Sequence, residues 1–177
     1  MGGPDRTPKE AVDALEEAIE RRPLAVLALV VAVALLAAAP SAANGTSPRC
    51  TAFAVLTPEN EVRPPNTTDP VESRARGFAL VKIKGTKLKF TVVIFNPARE
   101  TFIAGHIHVG EAGENGPVVV PLFQGSSNRR IFLQSDKLKI DRDIAAAICG
   151  NLGGYYVNYH TTQDPEGAVR GQLTGLF

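Results

Sequence analysis

Residues 24–39 read LAVLALVVAVALLAAA, with Arg21, Arg22 and Pro23 before them and Pro40, Ser41, Ala42, Ala43 and Asn44 after them. This apolar run constrains the chain more than any other feature, because it divides it into two unlike pieces. Positive charge ahead of a short apolar stretch, with small residues behind it, defines a secretory signal, and cleavage is expected before Asn44. The run is shorter than the ~20 apolar residues that span a bilayer comfortably. The long leader ahead of it keeps an uncleaved signal-anchor open as the alternative. In both cases the arginine pair stays on the cytoplasmic side and the rest of the chain leaves the cytosol. The expected organisation is therefore a leader with signal or anchor over 1–43 and an exported domain over 44–177, either secreted or membrane-tethered through residues 24–39.

Within the leader, Val12, Leu15 and Ile19 recur at helical spacing between acidic residues, which predicts a short amphipathic helix. Asp5, Glu10, Asp13, Glu16, Glu17 and Glu20 argue against an organellar transit peptide, since such segments avoid acids. Arg21-Arg22 permits twin-arginine export, but paired arginines before a signal core are common.

The formal net charge of the whole chain is +1. That is too small a charge for a broad phosphate-neutralising surface, so no nucleic-acid partner is expected. With 44% hydrophobic and 21% charged residues the composition matches soluble globular proteins and excludes wholesale disorder. The only two cysteines are Cys50 and Cys149. An even count in an oxidising compartment predicts a disulfide between them. Asn44 and Asn66 begin glycosylation sequons, relevant if the route is a eukaryotic secretory pathway.

From residue 51 onward the pattern is that of strands: short β-rich runs bounded by Gly, Pro and Asn. Strands are predicted over 51–56, 77–84, 87–95, 104–109, 118–123, 130–134, 155–160 and 167–173. Gly85-Thr86 joins the second and third as a hairpin. One face of that hairpin is expected to bury Phe78, Leu80 and their alternates, while Lys82, Lys84, Lys87 and Lys89 read as a solvated face that discourages edge pairing, with an anion site as the alternative. A single helix is expected over 141–149, with acids at its start, alanines inside and Gly150 after it. The expected fold is mainly β: an antiparallel sandwich or small Greek-key-like barrel of about eight strands with one short helix.

The chain has three histidines, His106, His108 and His160, all on predicted strands. Residues two apart share a strand face, so His106 and His108 point the same way and Ile107 points oppositely. With His160 nearby in the sheet they would form a three-histidine set suited to copper or zinc. The alternative is that the imidazoles hydrogen-bond loop backbones and hold turns. No nucleophile elbow, phosphate loop or dinucleotide fingerprint is present, and Gly110, Gly113 and Gly116 read as a turn cluster. Asp164 and Glu166 in TTQDPEG read as turn residues. Tyr155, Tyr156 and Tyr159 read as packing residues on alternating faces.

Three separated segments, LTPENEVRPP, AGHIHVGEAGENGPVVVPLF and ICGNLGGYYVNYHTTQDPEGAVRGQL, stand in an order that resembles the CHRD domain, the module named after chordin. The resemblance spans residues 50–177. Its motifs fall on Glu61, Val62, Pro64 and Pro65, then on His106, Ile107, His108 and Gly116 to Val119. The third falls on Tyr156 to Asn158, His160, Thr161, Gly167 and Arg170 to Leu173. The chain departs from the family pattern in three places: Arg63 is inserted before the prolines, Gly105 replaces the usual alanine, and Tyr159 stands where valine is common. The resemblance implies an extracytoplasmic β-sandwich or barrel of unsettled biochemical role. Growth-factor antagonism does not transfer, because in chordin it depends on cysteine-rich modules absent here. A His-x-His strand pair is also similar to that of copper/zinc superoxide dismutases, but three histidines are too few for their paired metals.

Glu61 and Arg170 are the charged residues of the matching motifs, with Asn158 beside them in the pattern. They are expected to play a structural part, as an ion pair or hydrogen-bond bridge between segments. Two functions remain open: a domain that binds one transition metal, or an extracellular module that binds a protein or glycan while its histidines are structural. No catalytic residue is expected.

Overall fold

In the hairpin of residues 76–95 side chains alternate between a buried and an outer face, and this alternation builds the first of two sheets. The buried parity is the opposite of the one expected: Ala79, Val81 and Ile83 face the core, while Phe78 and Leu80 share the outer face with Lys82 and Lys84 because strand parity puts all four on one side. The computed structural model describes residues 47–63 and 70–176. The leader, the apolar run and the sequons at Asn44 and Asn66 lie outside the described residues. The strands are β1 (Arg49–Leu56), β2 (Arg76–Lys84), β3 (Lys87–Phe95), β4 (Phe102–Val109), β5 (Val118–Ser127), β6 (Ile131–Lys139), β7 (Tyr155–Thr161), β8 (Val169–Gln172) and β9 (Thr174–Gly175). Helix α1 (Arg142–Gly150) connects β6 to β7.

The first sheet has the order β6-β3-β2-β1-β9 and the second β5-β4-β7-β8, and every pairing is antiparallel. They stack as a sandwich and do not close into a barrel. Between them lie Leu56, Val81, Leu88, Phe90, Val92 and Ile94 from the first sheet and Phe102, Ile107, Val157, Tyr159 and Val169 from the second. At one corner the sheets touch through an isolated antiparallel bridge: Thr57 N–H donates to the Arg170 carbonyl at 3.0 Å and Arg170 N–H to the Thr57 carbonyl at 3.1 Å.

The strand expected over 167–173 is divided in the structure. β8 belongs to the second sheet and β9 to the first, and Leu173, 1% exposed, marks where the chain changes sheet. The strand expected over 130–134 continues to Lys139, because its polar SDKLK half pairs with β3 while facing solvent. Asp141 caps α1 by accepting from the Asp143 amide at 2.7 Å. Cys50 on β1 and Cys149 on α1 form the disulfide, with Cα atoms 5.5 Å apart, and so fasten the helix to the first sheet. Among the described residues no helix is long and apolar enough to cross a membrane.

Candidate metal centre and its polar surroundings

Ile107 is fully buried in the core, so His106 and His108 on either side of it emerge on the outer face of the second sheet. Strand register extends that face. His106 lies opposite Asn158 and Asn158 opposite Arg170; His108 lies opposite Tyr156 and Tyr156 opposite Gln172. His160 pairs with Ala104, which makes it a diagonal neighbour of His106. The topology thus gathers the three histidines with Asn158 and Arg170 on one surface.

One ring nitrogen from each of His106, His108 and His160 lies within 4.8 Å of the other two. Hydrogen bonds assign the tautomers. His108 Nδ1 donates to the Gly116 carbonyl at 2.9 Å, and His160 Nδ1 donates to the Pro165 carbonyl at 3.0 Å. Both rings therefore keep a bare Nε2. His160 Nε2 lies 3.3 Å from His106 Nδ1, which donates to it. His108 Nε2 is buried and has no hydrogen-bond partner among the described residues. Burial, reinforced by the rings of His160 and His108, lowers His106 to a pKa of about 4. Burial also lowers His108 and His160, against the raising effect of their hydrogen bonds to Gly116 and Pro165. All three imidazoles are neutral at pH 7, the form that ligates metals.

The rest of this face is covered by two loops. Tyr156 stacks on His108 with ring centroids 4.9 Å apart, and the Arg170 guanidinium sits 3.5 Å from the centre of the same tyrosine ring. Arg170, 1% exposed, donates to the carbonyls of Glu111 at 2.9 Å and Glu114 at 2.7 Å and to Asn115 Oδ1 at 3.1 Å. It holds the glycine-rich 110–117 loop over the sheet. Glu61, from the loop after β1, accepts from Asn158 Nδ2 at 3.3 Å. Burial raises its carboxyl to about 8, against the opposing pull of Arg170, Asn158 and Arg63. Glu61 and Arg170 thus have different hydrogen-bond partners, and no ion pair joins them among the described residues.

Two contributors were not legible as site residues. Arg63, which the family resemblance marks only as an insertion, pairs with Asp164 at 3.0 Å and donates to the Pro70 carbonyl at 3.0 Å. Asp164, 3% exposed, also organises its own turn, since its amide donates to Thr161 Oγ1 at 3.0 Å. Their separation of 101 residues left no local signal. The signal that existed was the turn chemistry of Asp164-Pro165-Glu166-Gly167, whose Pro165 carbonyl orients His160.

The other two departures from the family pattern meet in space. Gly105 lies directly opposite Tyr159, and a Cβ at 105 would overlap the tyrosine ring. Tyr159 fills the core there and its hydroxyl donates to Gln134 Oε1 at 2.9 Å. Tyr159 as it stands therefore leaves no room for a side chain at position 105. Gly167 is constrained twice, with φ of 150° and with Glu61 Oε2 where its Cβ would be.

Two antiparallel sheets packed face to face, one carrying a histidine cluster beside covering loops, define a mainly β sandwich module. The chain belongs to the CHRD domain family, whose model matches residues 52–173. No curated protein matches the chain, and no solved structure does.

Proposed function

We propose that this CHRD domain acts outside the cytosol, secreted or membrane-tethered, and binds a single transition metal, copper or zinc, through His106, His108 and His160. The observation that carries the reading is the convergence of three neutral imidazoles, two of which have Nδ1–H tied to a backbone carbonyl. That arrangement fixes the tautomer and aims Nε2, as outer hydrogen bonds do for metal-ligating histidines. A tetrahedral site with metal–nitrogen bonds of about 2.0–2.1 Å has nitrogen–nitrogen edges of roughly 3.3 Å, and His106 and His160 already stand 3.3 Å apart. Three protein nitrogens leave a position open for water or a small ligand. Family membership and the disulfide support an extracytoplasmic setting.

A structural role for the histidines has its own support, since His108 and His160 hold the 110–117 and 161–167 loops through the same hydrogen bonds. His106 separates the two readings, because its only side-chain hydrogen bond among the described residues is to another imidazole. Copper and zinc titration of the exported protein, followed by calorimetry, should find about one ion per chain. His106→Ala should weaken binding at least tenfold while the metal-free melting temperature changes little. Absence of stoichiometric binding to the folded wild type would leave the structural role.

A further inference from the structure

The outer face of the first sheet is segregated by charge. At the end where β1 begins, register aligns Lys139, Lys87, Lys84 and Arg49 in one row across four strands, and Lys137, Lys89, Lys82 and Thr51 in the next. All seven cations are exposed. Sequence shows four of them as one hairpin's alternating residues; the structure adds Arg49, Lys137 and Lys139 from distant strands. Here opens a concavity of about 920 Å³, lined by these seven cations, by Thr51 and Thr86, and by Cys50, Ile83, Leu88 and Leu138 from the register between the rows. Asp136 is the only acidic residue of these four strands; it alternates away from the cationic rows and accepts from the Lys137 amide at 2.6 Å. The ion pairs among the described residues, Arg63 with Asp164 and Arg76 with Glu59, involve none of the seven.

Such an array opposes folding. Lys82 faces Lys89, Lys84 faces Lys87, and Lys87 and Lys89 in turn face Lys139 and Lys137, and like charges directly opposite one another destabilise a sheet. Protection against edge pairing would account for Lys137 and Lys139 on the edge strand β6 but not for the four lysines of β2 and β3, which are interior strands. Solvation does not require the array either, since interspersed acids would solvate the face with less repulsion. Charge complementarity supplies the missing role.

We propose that this face binds a linear polyanion, an acidic polysaccharide met outside the cell. Each row spans about 14 Å at the ordinary strand spacing, enough for a short oligosaccharide segment. Ammonium groups on flexible stems suit carboxylates or sulfates at irregular intervals better than a planar fork would. The rows contain no aromatic side chain, so a base-stacking platform for single-stranded nucleic acid is missing. A trough also fits a chain better than a bilayer surface. The assignment uses the exported setting but is independent of metal binding.

The test uses the full chain in nonionic detergent, with polygalacturonate and dextran sulfate as probes in about 0.1 M salt. Binding should weaken steeply with added salt. Lys82→Glu, Lys84→Glu and Lys89→Glu together should lower affinity at least tenfold, while Arg129→Glu, Arg130→Glu and Arg142→Glu, an equal change in net charge elsewhere, should stay within twofold of wild type. The three Lys→Gln changes repeat the test without charge reversal, and circular dichroism confirms folding. Equal loss in both sets, or no binding by wild type, would overturn the proposal. Tighter binding to a DNA oligonucleotide of equal charge would overturn it in favour of nucleic acid. Preference over polygalacturonate for lipid discs containing phosphatidylglycerol, relative to pure phosphatidylcholine discs, would overturn it in favour of a membrane.

Discussion

The two sheets bury their inner faces alike but treat their outer faces in opposite ways. The first leaves its outer face wet, with seven cations at one end and Val55, Phe78, Phe95, Ile131 and Leu133 exposed at the other. The second covers its outer face with loops, so that Tyr156, Asn158 and Arg170 are as buried as core residues. Polar groups on the covered face depend on protein partners, which Arg170 finds and His108 Nε2 does not among the described residues, whereas those on the wet face have water. Covering therefore turns a sheet surface into a site whose side chains have fixed neighbours.

The largest expected effect is at Arg170. Arg170→Met leaves two loop carbonyls and Asn115 without their donor and should cost about 3–5 kcal/mol, whereas Lys89→Ala on the wet face should stay within about 0.5 kcal/mol. Urea denaturation of both variants checks this, and similar midpoint shifts would break the contrast. Gly105→Ala should come next, at about 1–3 kcal/mol from overpacking against Tyr159. In a Tyr159→Val background the same change should cost at least about 1 kcal/mol less, measured as a double-mutant cycle.

The smallest effect is a pH dependence confined to the covered face. The histidines have folded pKa values below the ordinary 6.5, so their contribution to stability is complete above pH 6.5 and is lost on acidification, for His106 down to about 4. Glu61 has the opposite sign. Its pKa rises from 4.5 to about 8, so the stability from its bound proton is complete below 4.5 and lost as pH rises through 8. The contributions oppose each other between pH 4.5 and 6.5, and Glu61 acts alone among these groups from 6.5 to 8. Metal-free wild type should lose stability across that upper interval, by at most about 1.4 kcal/mol per pH unit, and Glu61→Gln should flatten the decline in melting temperature.

The contrast between faces also explains what was legible in the sequence. The bounds of β2 and β3 follow from alternation to within a residue, because a sheet with one wet face shows its period, but Phe78 and Leu80 on the wet face misled the choice of buried parity. β7, buried on both sides over most of its length, has no such period, and its outward polar layer could be located only through the histidines and motif residues. Parity placed His106 and His108 on one face, but nothing local showed that Tyr156 would lie between His108 and Arg170. The same holds for the cationic rows: a hairpin reveals its own four lysines, while Lys137 and Lys139 join them only through the β3–β6 pairing.

Arg170 gives the cluster a place in time. Its backbone joins Thr57 and its side chain holds the 110–117 loop, so segments from the beginning, middle and end of the domain meet at a residue of β8. A chain emerging N-terminus first presents His106 54 residues before its partner His160, and Arg170 later still. Until β7 and β8 are in place, two histidines lie on an unroofed surface. The cluster is therefore complete only once β7 has joined β4, and a chain truncated before β7 would lack it however well β1, β2, β3 and β6 had paired.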